Sequence, residues 1–353
     1  MQRILSGIQQ VGIGVSNACE AFQWYKQHFG FDAVVFEDKA PAALMTRYTG
    51  NTVQHRYAVL AMNMQGGGGF ELWQYTSRDP VAAHQHPQVG DTGIFAVKLR
   101  CRNVAESYKS LAPFAITPVS KSLCGAMHFF VKDPFGNVFE IIENDYWFTT
   151  RSTLIGGVCG AMIGVKDMEI AKVFYNTVLG YDIVYAEDES VFEDWQGLPG
   201  AGQKVKRVLM KHGKGYAGPF SRLLGPTSIE LVQAMEKPVS KIFADRWWGD
   251  LGFIHLCYDV GGMQHHGKLC AATGYPLTVN SEDSFAMGKA AGHFAYNEDP
   301  DGTLIEYVET HKVPILKKLG WYLDLRKRNA EKPLPDWMVK CMGLGKKELQ
   351  LSS

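Results

Sequence analysis

The chain has 353 residues, 46% of them hydrophobic, and 36 basic against 36 acidic side chains. A neutral balance speaks against nucleic acid as a main partner, because phosphate binding needs a basic face. The opening residues show no apolar signal run, no stretch is long enough to span a membrane, and the seven cysteines are scattered without a CxxC pair, so the expectation is a reduced, cytoplasmic protein.

An apolar run over residues 8–16 reads as a strand. Asn17 to Phe29 reads as a helix, with Phe22, Tyr25 and Phe29 at helical spacing and Gly30 as a natural stop. Strand-like runs follow and end in Phe70-Glu71-Leu72-Trp73-Gln74-Tyr75. The glycine run 66–69 before them reads as a hairpin turn, since no helix follows at phosphate-loop spacing. Residues 78–92 are polar, contain Pro80 and Pro87, and form a linker. A second unit opens at Gly93-Ile94-Phe95-Ala96-Val97, has a helix near 103–112 and closes at Val138-Phe139-Glu140-Ile141-Ile142. Residues 144–157 join the halves. The same order returns at 158–165, 167–179 and 229–233, and again at 252–260, 263–273 and 303–308. The third unit carries a Gly- and Pro-rich insertion, about 188–228, expected to be a mobile loop. Past His311, Leu316, Leu319 and Leu323 at helical spacing predict a helix packed on the domain surface.

The chain also repeats itself. Trp24-Tyr25-Lys26-Gln27-His28-Phe29-Gly30-Phe31 returns as Phe174-Tyr175-Asn176-Thr177-Val178-Leu179-Gly180-Tyr181, 150 residues later. Phe70-Glu71-Leu72 returns as Ile229-Glu230-Leu231 at an offset of 159, and Asp133-Pro134-Phe135-Gly136-Asn137 as Asp299-Pro300-Asp301-Gly302-Thr303 at 166. Offsets that only grow mean a duplicated half with insertions in the second copy. The expected division is 1–150 for units one and two, 151–311 for units three and four, and 312–353 for a helical tail. Each unit ends with a glutamate inside an apolar strand: Glu71, Glu140, Glu230 and Glu306. A buried carboxylate needs a partner, a proton or a metal ion.

These motifs, the DPxGN-like turns, the [WF]-Y-x-x-x-[FL]-G-[FY] helix ends and the terminal-strand glutamates, resemble the vicinal oxygen chelate superfamily. That superfamily includes glyoxalase I, methylmalonyl-CoA epimerase, extradiol and hydroxyphenylpyruvate dioxygenases, and the fosfomycin and bleomycin resistance proteins. The resemblance covers about residues 8–310. It implies an α+β fold, four βαβββ modules forming two cupped mixed β-sheets, here with a C-terminal helical tail. It also implies a metal held in a cup by side chains of the first and last strands of two units. The first-strand ligand position then lies seven residues before the residue that opens the helix: Gln10, Ala96, Gly160 and His255. Ala96 and Gly160 cannot bind metal.

Pairing of the units decides the site. If sequential units pair, one cup holds Gln10, Glu71 and Glu140, and the other Glu230, His255 and Glu306. If unit one pairs with unit four, Gln10, Glu71, His255 and Glu306 share one cup, as in the ring-cleaving hydroquinone dioxygenases, and the inner cup is structural. The loss of both inner ligands favours the second arrangement, with Glu230 as the alternative ligand under the first. The set of one His, two carboxylates and one amide looks like that of glyoxalase I. It suits zinc, nickel, cobalt or manganese, with Glu71 or Glu306 as the base that moves a proton beside a metal-polarised oxygen.

The implied activity is that of a metal-dependent lyase or isomerase acting on a small substrate with adjacent oxygens, through an enediolate-like intermediate. A ring-cleaving or keto-acid dioxygenase is the alternative. It would require Fe(II) and a second His ligand. A binder without metal, its cup lined by Phe192, Trp195, Tyr216, Phe220, Trp247 and Trp248, is the third reading. His293, Trp73 and Tyr258 are the candidate substrate contacts. His128 and His293 sit at similar places before the two DP turns, and His265-His266 are expected at the surface. The partner is a small molecule, with no nucleic acid and no membrane, and the protein is expected to be a monomer or homodimer.

Overall fold

In the computed structural model, residues 3–282, 285–287, 290–316, 321–344 and 348–349 are described. Unit one comprises β1 (Ile4–Gly14), α1 (Ala18–Phe29), β2 (Ala33–Pro41), β3 (His55–Met62) and β4 (Gly69–Tyr75). Unit two comprises β5 (Gly93–Cys101), α2 (Val104–Leu111), β6 (Ser120–Lys121), β7 (Met127–Lys132) and β8 (Val138–Glu143). Unit three has β9 (Ile155–Gly164), α3 (Met168–Thr177), β10 (Ile183–Ser190), β11 (Val205–Lys211), the short α4 (Ser221–Leu224) and β12 (Ser228–Ala234). Unit four has β13 (Gly252–Gly261), α5 (Met263–Ala272), β14 (Val279–Asn280), β15 (Phe285–Met287), β16 (Ala290–Glu298) and β17 (Leu304–Thr310). The tail contributes β18 (Lys312–Leu316), β19 (Trp321–Asp324) and α6 (Asp336–Lys340).

The helices begin where capping chemistry permits. Asn17 accepts from the amides of Cys19 and Glu20, Asn103 from that of Glu106, and Asp167 from those of Glu169 and Ile170, so orphan amides of the first turn are satisfied. α1 ends at Gly30, whose φ of 76° is the left-handed cap conformation. Its buried residues, Ala18, Ala21, Phe22, Tyr25 and Phe29, form the single stripe that a surface helix lays on a sheet.

The sheets settle the pairing. In the first, strands run β14-β16-β17-β13-β1-β4-β3-β2, with β15 beside β16, so unit one joins unit four. In the second they run β10-β11-β12-β9-β5-β8-β7-β6, so unit two joins unit three. The seams are antiparallel, β1 with β13 and β5 with β9, and in each unit the last strand lies parallel to the first. Each sheet therefore takes one unit from either side of residue 150.

The motifs of the repeat tie the units together in the other sense. The Tyr25 hydroxyl of unit one donates to Asp133 of unit two at 2.6 Å, and that of Tyr175 in unit three to Asp299 of unit four at 3.0 Å. Each aspartate also accepts two amides of its own DP turn. Helix-facing residues of both sheets merge into one apolar core. The glycine run is a turn between β3 and β4, and it lies against the second sheet. A methyl group on Gly67 would stand 2.4 Å from the Gly157 carbonyl carbon, so only glycine permits this contact of backbones.

Two expectations are corrected. The region 188–228 is not one mobile loop, because it holds the end of β10, a 3-10 turn at Glu193–Trp195, β11 and α4. The extra length of unit three is concentrated in 212–227, where Phe220, Leu223 and Leu224 pack with Met62 of the first sheet and Met64 in the turn after it. The tail is not helical at Leu316 or at Leu323 either. Lys312–Leu316 and Trp321–Asp324 pair as antiparallel strands, Leu319 lies outside the described residues, and the helical turns come later, at Asp336–Lys340 and Cys341–Leu344. Val313, Leu325, Leu334 and Val339 bury themselves against Leu60 and Met62. No helix among the described residues is long and apolar enough to cross a membrane. All seven cysteines are unpaired.

Candidate metal centre

Alternation along a strand places residues i and i+2 on one face. On β4, Phe70 and Leu72 enter the helix-facing core, while Glu71, Trp73 and Tyr75 line the concave side. β1 presents Gln10 and Gly12 to the same side. β13 presents His255 and β17 presents Glu306. The register puts Gly12 opposite His255 and Glu71 beside Gly12. The imidazole lies across Gly12, where a methyl group would come within 2.4 Å of Cε1. Trp248 lies nearly parallel to the ring at a centroid distance of 6.4 Å, and Tyr296 meets it edge-on at 5.4 Å.

Four side chains converge in this cup. His255 Nε2 stands 3.0 Å from Glu306 Oε2 and 3.5 Å from Glu71 Oε2. Gln10 Nε2 donates to Glu71 Oε2 at 3.1 Å and to Glu306 Oε2 at 3.4 Å. One ligand atom each from Glu71, His255 and Glu306 falls within 4.8 Å of the others, and all three residues are buried. Burial disfavours the charge on His255, but Glu306 and Glu71 outweigh it and lift the imidazole to about 9. Burial likewise opposes the charge on Glu306, but His255, Tyr296 and Cys257 overcome it and hold the carboxyl below its ordinary value. The cup is thus a dry place with two carboxylates that demands positive charge.

A divalent cation fits that demand. The donors are one imidazole nitrogen, two carboxylates and an amide, a set that suits borderline metals in octahedral surroundings. The buried Gln10 Oε1 has no hydrogen-bond partner among the described residues. Amide orientation is assigned from such networks, and the turned-over amide would aim that oxygen at the cation.

The second cup answers the same demand differently. Lys98 crosses Gly160, its partner in the seam, and its ammonium contacts Glu140 and, at 2.6 Å, Glu230. His128 Nδ1 lies 2.6 Å from Glu140, and Arg207 bridges Glu230 at 2.7 Å and Asp194 at 2.9 Å. The missing ligands at Ala96 and Gly160 are therefore replaced by a fixed cation two residues past Ala96, on the same face. Glu230 belongs to this network and not to the metal group.

The other predicted contacts separate. Trp73 lines the first cup but is fully buried, stacked edge-on against Trp248 at 4.4 Å. Tyr258, expected as a substrate contact, points to the opposite face and hydrogen-bonds Tyr181 at 3.1 Å in the core. His293 also faces away from the cup, toward Asn280. The strands explain it. Glu140 pairs with Phe130 and Glu306 with Tyr296, so the counterpart of His128 is Phe294, and a slip of one residue turns His293 to the other side. His266 is buried against Tyr307, not at the surface. Of the binder's aromatics, Trp195 and Phe192 stack on Arg207 in the second cup, Phe220 packs beneath the tail and Trp248 lines the first cup. Cys257, Tyr296 and Lys98 were missed. Cys257 and Lys98 could have been found by stepping two residues from His255 and Ala96.

Residues 7–141 match the family model of the glyoxalase/bleomycin resistance protein/dioxygenase superfamily. Among solved structures, the chain resembles a Bacillus subtilis protein provisionally named a dioxygenase, at 14% identity and a TM-score of 0.55 over 87% of this chain and 86% of that one. It resembles glyoxalase I from Zea mays at 14% identity and a TM-score of 0.53, over 87% and 92% of the two chains. Likeness at this identity establishes the fold. No curated protein sequence matches the chain.

Proposed function

Residues 7–141 belong to the glyoxalase/bleomycin resistance protein/dioxygenase superfamily, and from that premise we propose that the protein is a metal-dependent lyase or isomerase of the glyoxalase type. Its substrate is a small molecule with adjacent oxygens. The observation that carries this reading is the composition of the first cup: one imidazole, two carboxylates and one amide, with no second histidine in the metal group among the described residues. An iron dioxygenase of the two-His-one-carboxylate type needs that second imidazole, and His293 lies on the wrong face to supply it. A cytoplasmic location accords with seven unpaired cysteines.

Gln10, Glu71, His255 and Glu306 would hold the metal, which when bound polarises a substrate carbonyl or enediolate oxygen. His255 is oriented by packing, with Gly12 beneath it and Trp248 and Tyr296 around it. Glu306 is held by Tyr296 and Cys257 as well as by His255, which suits a fixed anchor. Glu71 has fewer restraints, Gln10 and His255, and is the carboxylate free to leave and take a proton from the adjacent carbon at Oε2. Trp73, Tyr75 and Trp248 close one end of the cup and keep water from that proton.

The test is metal analysis of purified wild type and His255→Ala, with isomerisation of a 2-oxoaldehyde hemithioacetal and epimerisation of an acyl-CoA assayed beside it. Stoichiometric zinc, nickel, cobalt or manganese that disappears in the variant, together with turnover abolished by Glu71→Gln, is expected. Stoichiometric iron with oxygen uptake would overturn the reading in favour of a dioxygenase. Equal metal content in both proteins would remove the site.

A further inference from the structure

The second cup has an opening. A cavity of about 320 Å³ reaches into it, with Lys98 and Glu230 at the inner end and Ile142, Leu209 and Pro226 among the walls. A neighbouring cavity of about 370 Å³ shares Lys211, Pro226 and Thr227 with the first and adds Lys214 and Arg222. The two cavities adjoin at Lys211, Pro226 and Thr227, with basic residues around the outer one and Lys98 in the wall of the inner one.

Each end has a definite chemistry. An ammonium has three N–H donors, and on Lys98 Glu140 and Glu230 take two of them. The remaining donor sits beside two carboxylates, so it suits a neutral oxygen acceptor, a carbonyl or hydroxyl, better than another anion. Burial opposes the charge on Lys98, but Glu140 and Glu230 prevail and hold its pKa above the ordinary value. It therefore remains a hydrogen-bond donor and does not become an amine nucleophile. At the rim, Lys211 lies over the Tyr185 ring at 3.3 Å, and neither Lys211 nor Lys214 has a carboxylate partner among the described residues. Arg222 is engaged by Asp336 at 3.0 Å. Glu143 and Asp145 also line the inner cavity and steer an anion toward the lysines.

We propose that the second cup is a metal-free binding site for a small oxo- or hydroxy-acid, its neutral oxygen on the Lys98 ammonium and its carboxylate at Lys211 and Lys214. In this cup a lysine presents to a ligand oxygen the positive charge that a metal would present in the other. The inference does not depend on the activity of the first cup.

Levulinate (4-oxopentanoate) is the probe, titrated by calorimetry and saturation-transfer NMR, with valerate as the analogue lacking the oxo group. Saturable binding is expected in wild type and, within about twofold, in His255→Ala and in chelator-treated protein. Binding should fall about tenfold or more in the double variant Lys211→Glu/Lys214→Glu, and valerate should bind about tenfold more weakly, the size of one lost polar contact. Both rim lysines lie near the surface, so the double variant keeps the fold. Loss of binding in His255→Ala would place the acid in the first cup and overturn the proposal. So would undiminished binding in the double variant, or no saturation in wild type.

Discussion

The two cups share one scaffold and one electrostatic problem, and they solve it with different cations. Each brings together the buried terminal-strand glutamates of two units on a concave sheet face: Glu71 and Glu306 in one, Glu140 and Glu230 in the other. Each seam has a glycine under the side chain that crosses it, Gly12 under His255 and Gly160 under Lys98. The crossing residue comes from unit four in the first cup and from unit two in the second. The first cup meets its paired carboxylates with an imidazole and an amide, which leave the charge to be completed by an ion. The second carries the charge within the chain, as Lys98 and Arg207. A metal cup and an ion-pair cup thus differ by a handful of side chains at fixed strand positions, which makes the comparison easy to break.

The largest effect is expected from Lys98→Met. Removing one member of a buried ion network leaves the others uncompensated, at a cost of about 3–5 kcal/mol, here the two glutamates that Lys98 joins. Chemical denaturation should show that loss. Zinc or manganese should restore part of it in the variant, because His128, Glu140 and Glu230 then resemble the first cup. If the variant is as stable as wild type, the lysine is not what holds the second cup together.

Next comes pH. Burial acts to lower the pKa of His128, but Asp194 and Glu140 lift it to about 9 from an ordinary 6.5. A group whose folded pKa is raised stabilises fully below its unfolded value and loses that contribution as pH climbs through the folded one. The window is therefore about pH 6.5 to 9, and the loss amounts to about 3–4 kcal/mol at most. Lys98, Arg207 and Glu230 complete the surroundings, and the neighbouring carboxylates hold both Lys98 and Arg207 above their ordinary values. The difference in unfolding free energy between wild type and His128→Gln should shrink across that range. A constant difference would mean that the imidazole is neutral throughout.

A smaller effect targets the floor of the first cup. Gly12→Ala puts a methyl group where the His255 ring lies. The ring must turn, and metal affinity should drop about 10- to 100-fold, the scale of a disturbed orienting contact, while overpacking of the buried ring costs the metal-free protein about 1–3 kcal/mol. A competitive chelator titration reads it. Unchanged affinity would show that the imidazole reaches the ion from another rotamer.

The landmarks in the sequence were enough for the unit order, the helix ends, the DP turns and the four glutamates, because each depends on local spacing. The pairing of units was not local. The Tyr25–Asp133 and Tyr175–Asp299 bonds join sequential units, while the sheets join one with four and two with three, so motif adjacency alone favoured neither. Single-residue parity was equally hidden. His128 and His293 look equivalent beside their DP turns until the strand register is counted, and Tyr258 looks near His255 until its odd spacing turns it into the core. Lys98 is not legible from metal-ligand spacing, because a cation that replaces a metal has the opposite chemistry to a ligand. The tail was misread because Leu316, Leu319 and Leu323 fit a helical stripe, while hydrophobic spacing over so short a run does not separate helix from strand.

The gentlest test sharpens the division between the cups. Gln10 is bonded to both carboxylates of the metal group, and Glu230 to Lys98 and Arg207. Gln10→Ala removes one neutral ligand and should weaken metal binding by about tenfold, close to one ordinary polar contact, with no change in levulinate binding. Glu230→Gln keeps its shape and lies in the other sheet, so metal affinity should stay as in wild type while stability falls. The two variants together form a double dissociation that sequential pairing of the units cannot reproduce, since in that arrangement Glu230 would share a cup with His255. Loss of metal in Glu230→Gln with none in Gln10→Ala would therefore contradict the strand order itself, not merely the assignment of a ligand.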